Sequence, residues 1–440
     1  MKRKRTRLSV TILAACLAAT SLAFGPAVLD GPAVYGYTAE TAKSNPKGLI
    51  LAPGVEHETK TMVFETKFRF REQNEKGQAN GHIVHGGEVT NVVNRFKIDT
   101  ANPGLRIELV SPGGKVAGKD TTTAMAREND REGHRVLGAF NADFFDVPTG
   151  VPIGLQVTDG EIYSSPAVPA STFFAVMPDG SPRMGGAVSI ESIVQTEGGA
   201  SLPLDGVNKI RTSSLTNAAI LMTDRFGTST QSAGTGGVEV VLSPAQPGAK
   251  LKAGETLSGV VEAIRTTNNG PIEPGKFVLA ASGAKAKWLQ ANAAAGQTLS
   301  FRVDYGSELN QAMFLYGGAD HPNAQVLLKD GEIPPAISDL MTLRHLDHHP
   351  RTVLATKGTE VYVFVFDGRQ AGYSDGMSYL EGAAYMQSLG MENAINLDGG
   401  GSSTYAIRKP GESDFTVMNR PSDGAERPIG NALLLISTTP

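Results

Sequence analysis

The stretch SYLEGAAYMQSLGMENAINLDGGGSST, residues 378–404, decides how the chain is read. Leu380, Ala383, Ala384, Met386 and Leu389 fall at helical spacing and Gly390 follows as a natural stop, so residues 378–389 are expected to form a helix. Ala394-Ile395-Asn396-Leu397-Asp398 then reads as a strand, ended by three glycines. A carboxylate closing an apolar strand suits chemistry, because burial shifts its pKa and a turn without Cβ atoms lets a ligand approach. The same residues also suit a plain turn, with Asp398 capping it and glycine supplying positive φ. Ser402, Ser403 and Thr404 beside Gly399, Gly400 and Gly401 favour an anion or sugar cradle, with Asp398 as acid, base or nucleophile.

Upstream, Arg351 to Ala355 and Val361 to Phe366 are apolar enough to be central strands. The second ends in Asp367-Gly368-Arg369, again a carboxylate at a strand end, so Asp398 and Asp367 are candidates for a glycosidase-like pair. Arg351 opens the first, and its guanidinium suits a phosphate or carboxylate, or a salt bridge to a neighbouring acid. His345, His348 and His349 have a spacing open to a divalent cation, although Pro350 argues against one helical face there. Further back, Thr121 to Arg131 reads as a short helix before the strand Arg135 to Phe140, which ends at Asn141-Ala142-Asp143. Val92, Phe96 and Ile98, then Leu105, Ile107 and Leu109, alternate about Asn102-Pro103-Gly104 and read as a hairpin-like start.

Residues from about 170 to 310 form a β-rich middle of short runs such as Val238 to Leu242 and Phe277 to Ala281. The fold class is therefore α+β, a strand-rich mixed-sheet architecture with few helices. Residues 1–42 are read as a signal peptide and the start of a linker, 43–90 as a linker or extension, and 91–440 as the functional domain.

The 440 residues are 40% hydrophobic and 19% charged, enough to bury a large core. Removing Lys2, Arg3, Lys4, Arg5 and Arg7 takes the formal charge from −4 to roughly −9, which speaks against nucleic-acid partners. Those residues precede the apolar run Leu8 to Phe24, the order of a secretory leader, so export to the cell surface or medium is expected, with no stable membrane span after processing. Cys16, the one cysteine, lies in that run and leaves the mature chain without disulfides or thiol chemistry. Gly270 to Lys276 resembles a P-loop but lacks its Ser/Thr, the glycine run does not complete a Gly-x-Ser-x-Gly elbow because position 404 is Thr, and His-Glu-x-x-His does not occur.

Taken together the segments resemble the phosphodiester glycosidase family. The resemblance rests on Asn141-Ala142-Asp143-Phe144-Phe145, Gly317-Gly318, Lys329-Asp330-Gly331, His349-Pro350-Arg351-Thr352, Asn396 to Thr404, Asn419-Arg420-Pro421-Ser422 and Glu426 to Ala432. It implies hydrolysis between a sugar's anomeric carbon and the phosphate of a phosphodiester, on a glycosyl phosphodiester or cell-surface glycan. By the same resemblance Asp398, Asp367 and Asp143 are the catalytic candidates. Asn141, Arg351, Thr352, Gly399, Gly400, Gly401, Ser402, Ser403 and Asn431 would bind substrate. No cofactor is required by the sequence, and a divalent cation stays open. The competing readings are a metal-dependent phosphodiesterase that breaks the P–O bond and a non-catalytic exopolysaccharide-binding protein; a 6% aromatic content and the lone Trp288 count mildly against the latter.

Overall fold

Along the strand Glu360–Phe366 two apolar sets alternate, Val361, Val363 and Val365 on one face and Tyr362, Phe364 and Phe366 on the other. A strand with two apolar faces needs a layer on each side, and it has both. The computed structural model describes residues 47–73, 79–166, 170–319, 326–338 and 348–439; the leader with Cys16, and His345, lie outside them. Within it this strand sits centrally in a seven-stranded sheet, between Ala79–Asp99 and Arg351–Lys357. Asn393–Asn396 and Val326–Leu328 extend the sheet on one side, Val55–Gln73 and Lys47–Ala52 on the other.

The helix Tyr379–Ser388 covers the Phe364 and Phe366 face with Tyr379, Leu380, Ala383, Ala384 and Met386. Its start is fixed by a capping box: the Glu381 amide donates to Ser378 Oγ at 3.2 Å and the Ser378 amide to Glu381 Oε2 at 3.1 Å. Ser378→Ala is expected to lower unfolding free energy by about 1 kcal/mol, measured by urea denaturation; no change would mean that packing alone sets this helix start. The valine face packs on a five-stranded sheet made from Leu105–Val110, Arg135–Asn141, Tyr405–Ile407, Thr416–Val417 and Ala432–Ser437, with Phe96, Phe140 and Tyr405 between the layers.

Glu191–Thr196 through Thr298–Asp304 build an eight-stranded sheet with its own core. Its helix Gly283–Asn292, buried through Ala286 and Leu289, gave no clear apolar period in the sequence. A further five-stranded sheet links the two bodies, pairing Phe314–Ala319 with Leu155–Thr158 and Ala170–Val176. The β-rich, α+β reading of the chain is what the structure shows. Among the described residues no helix is long and apolar enough to cross a membrane.

Two expectations are corrected. Residues 47–73 and 79–90 are not a linker; they are strands of the main sheet. Beside buried Val55, Met62 and Phe64 they carry polar groups where a core strand would be apolar: His57 is buried, and Thr59 donates to Asn94 Oδ1 at 2.8 Å. On the outer face Arg95 pairs with Glu58, and Lys97 with Glu360 at 2.6 Å. Nor do the runs at Val92 and Leu105 form a hairpin. Ala79–Asp99 pairs with Val55–Gln73 and Glu360–Phe366, whereas Leu105–Val110 crosses to the other sheet and pairs with Ala432–Ser437.

Candidate active site

Arg351–Lys357 and Asn393–Asn396 pair antiparallel with Val353 opposite Asn396, and Leu397 N donates to Thr352 O at 2.8 Å. Continuing that register brings Arg351 level with Asp398 at the ends of their strands. Asn141, ending Arg135–Asn141 in the neighbouring sheet, ties them together. Its Nδ2 donates to Asp398 O at 2.7 Å, while its Oδ1 accepts from Thr352 Oγ1 at 2.7 Å and Thr404 N at 3.1 Å. Asn141, Thr352 and Ser403 are buried, so they hold the floor of the site rather than reach into it.

Above this floor lies a cavity of about 330 Å³, lined by Phe144, His349, Arg351, Arg369, Tyr379, Asn396, Asp398, Gly399, Gly400, Gly401 and Arg427. Its charged groups are three guanidiniums and one carboxylate. The Arg351 guanidinium lies 3.8 Å over the Tyr379 ring, with its Nε donating to Met377 O at 3.0 Å. Arg369 Nε donates to His349 Nδ1 at 3.1 Å. Arg427 pairs with Asp423 at 2.8 Å and reaches Ser402 Oγ at 3.4 Å. Such a lining suits an anionic group held by planar donors, with a carboxylate at its edge.

The glycine run works differently from the expected cradle of amides. Gly399 N donates to Asp398 Oδ1, Gly400 N to Pro350 O, Ser402 N to Gly399 O and Ser403 N to Gly400 O, so two of the three glycine amides, with those of Ser402 and Ser403, serve the turn itself. What the glycines provide is room. Gly400 takes φ +63° with the Arg369 guanidinium alongside, and a Cβ on Gly401 would collide with Arg427 and Asp423. The arginines are therefore the stronger candidates for holding an anion, and Arg369 and Arg427 are candidates that the motifs did not single out. Their signal lies in Asp367-Gly368-Arg369 and in Glu426-Arg427-Pro428, where each arginine sits beside or near an acid.

The three candidate carboxylates separate. Asp398 faces the cavity; burial pushes its pKa up to about 6, against hydrogen bonds from Ser402 and the Gly399 amide and the charges of Arg427 and Arg369. Asp367 is away from the lining and saturated: Tyr373 Oη donates at 2.9 Å, Asn419 Nδ2 at 3.1 Å, and Arg420 N to both oxygens at 3.0 Å. It fastens the 419–420 segment to the main sheet. Asp143 is fully buried behind the site, its amide donating to Asn431 Oδ1 at 2.9 Å, and Asn431 Nδ2 donates onward to Gln156. Asn431 thus supports Asp143 and does not line the cavity.

Of the histidines, His348 forms an ion pair with Glu381 at 2.8 Å; burial opposes its charge, but Glu381 more than compensates and raises its pKa. His349 Nδ1 is occupied by Arg369. Among the described residues no three His, Cys, Asp or Glu side chains come together as a metal site would need.

The sequence profile of the phosphodiester glycosidase family matches residues 251–436. The resemblance read from the motifs holds. That span carries Arg351, Arg369, Asp398 and Arg427, while Asn141 and Asp143 reach the site from outside it. No curated protein matches the chain. A hypothetical protein from Synechocystis has a similar structure, at 18% identity and a TM-score of 0.64, over 89% of this chain and 64% of that one. The chain thus spans somewhat under two thirds of that relative. A Burkholderia pseudomallei protein described as exported matches at 18% identity and a TM-score of 0.67, over 91% of this chain and 97% of that one. The catalytic domain of zebrafish N-acetylglucosamine-1-phosphodiester alpha-N-acetylglucosaminidase, auto-inhibited by its pro-peptide, matches at 15% identity and a TM-score of 0.42 over 89% of this chain and 87% of that one.

Proposed function

We propose that the protein is an exported hydrolase that cleaves the glycosidic C–O bond of sugar-1-phosphodiesters of the N-acetylglucosamine type, releasing free sugar and a phosphomonoester. The observation that carries this reading is the composition of the cavity, three guanidiniums and a single strand-end carboxylate in one wall. The family match at residues 251–436 supports the bond class. Export rests on the basic and apolar leader and on the likeness to a protein described as exported.

In the proposed reaction Arg351, Arg369 and Arg427 hold the phosphate, whose charge grows from one to two as the anomeric C–O bond breaks and the bonding pair leaves with the phosphate oxygen. That leaving group departs without a proton. Ionised Asp398 stabilises the oxocarbenium-like sugar and takes the proton of the water that adds to the anomeric carbon.

Hydrolysis in oxygen-18 water tests the bond broken. Label in the free sugar is expected; label in the phosphate would mean P–O cleavage, with an EDTA arm then reporting whether a cation takes part. Because Asp398 acts ionised and its pKa stands near 6, log kcat/KM is expected to fall with unit slope as pH drops below about 6. A flat profile down to pH 4 would remove Asp398 from this role.

A further inference from the structure

Lys209 follows the short strand Gly206–Val207 of the eight-stranded sheet, outside every motif that pointed to the site. It is 6% exposed, an unusual place for an ammonium group. Its Nζ donates to Pro152 O and, at 3.2 Å, to Gly154 O. The other side of the same glycine is equally occupied: Gly154 N donates to Asp143 Oδ2 at 2.7 Å. A Cβ at Gly154 would collide with that carboxylate and with Gly317 O, so the close approach depends on glycine.

Asp143 is in turn one residue from the backbone that carries the reacting acid, since Asp398 N donates to Ala142 O at 3.0 Å. Asp143 Oδ1 is buried and accepts no hydrogen bond from the described residues; Tyr316 Oη is buried in the same condition. The charged and titratable groups facing Asp143 are Lys209, Asp398 and the Tyr316 phenol. Arg427 and Arg369 face Asp398 as well. Burial drives the Asp143 pKa upward and that of Lys209 downward, and each partner's charge opposes the other's shift.

We propose that Lys209 is a positioning residue of this site: through the Gly154 peptide its ammonium governs the charge on Asp143, and so the charge that Asp398 meets on its buried side. This rests on the reading of Asp398 as the reacting carboxylate. Two carboxylates sharing a site ionise one after the other, Asp398 first because guanidiniums and hydrogen bonds favour its charge. Asp143 keeps its proton beneath it until higher pH, and Lys209 decides how much higher. A lysine that follows a strand of the eight-stranded sheet thereby sets the upper edge of the working range of a site built by the seven-stranded sheet and the five-stranded sheet packed on it.

The test is a carbon-13 carboxyl NMR titration of the full mature chain, without substrate, alongside the pH profile of kcat/KM. Asp143→Asn identifies the Asp143 resonance by its loss. In Lys209→Met the Asp143 titration should move up by about one pH unit, because the cation that favours the carboxylate is gone. Lys209→Gln, which keeps an N–H donor for the two carbonyls, should show the same shift if the methionine variant does not fold. Lys209→Arg, which keeps the charge, should stay near wild type. The alkaline limb of the rate profile should follow the Asp143 titration in each variant.

A shift under half a unit in the uncharged variants overturns the proposal and leaves Lys209 a structural tie. A shifted titration with an unmoved alkaline limb overturns its catalytic half. Since the NMR arm needs no turnover, the coupling stands or falls separately from the hydrolase reading, which the oxygen-18 experiment decides.

Discussion

Asp398→Asn is expected to lower kcat by about 10³-fold, the scale on which a positioned acid–base group acts, without loss of the fold. The stability half of that expectation follows from sign. A carboxylate whose folded pKa is raised to about 6 contributes stability only while protonated, and that contribution is lost as pH climbs from the unfolded value through 6. At neutral pH the ionised side chain is therefore a cost, and a neutral amide of the same shape removes it. Asn can still accept from the Gly399 amide, now made at 2.8 Å. The variant should melt at or above the wild-type temperature while hydrolysing almost nothing. Full activity in a folded variant would move the chemistry to another group and dissolve the central assignment.

Arg351→Gln is expected to lower kcat/KM by about 10²-fold, with much of the loss in kcat, because this guanidinium meets charge that grows during bond breaking. Its geometry is unusually committed. The group is 7% exposed, stacked on Tyr379 and held by Met377 O through Nε, and it lines the cavity beside Asp398. Lysine at this position keeps the charge but not the planar stack or the fork, so Arg351→Lys should fall between the two. Inhibition by the phosphomonoester product should weaken in step. An unchanged kcat with a raised KM alone would mean uniform binding, and would shift the burden of charge stabilisation to Arg369 and Arg427.

The parts of this molecule legible in its sequence are those whose cause is local. The helix at 379–388 shows its apolar period, its capping serine and its stop at Gly390 within a dozen residues. The strands Arg351–Lys357 and Glu360–Phe366 are apolar on both faces and read as central for that reason. Asp398 could be found from the run it ends. What stayed hidden has causes far away in the chain. Val55–Gln73 looks like a linker because His57 and Thr59 interrupt its buried apolar residues Val55, Met62 and Phe64, and only a partner such as Asn94 accommodates those polar side chains. Asp367 looks catalytic until Tyr373, Asn419 and Arg420 close around it. The amides of the glycine run look free until Pro350 arrives to accept from one of them. Lys209 carries no motif, and its place depends on two carbonyls from another sheet.

The strand Ala432–Ser437 lies between Arg135–Asn141 and Leu105–Val110, and just before it Asn431 accepts from Asp143, 288 positions away. Chains whose decisive contacts are this remote pay loop-closure entropy before they gain anything back, and they fold slowly. During synthesis, then, the strand that carries Asn141 lacks this neighbour until the ribosome has moved past residue 437. A polypeptide stalled or clipped between residues 427 and 437 would carry every charged group of the cavity and lack the strand that supports it. The order of the sequence thus acts as a timer, withholding Arg427 and the last strand of the supporting sheet until nearly all of the chain described here exists.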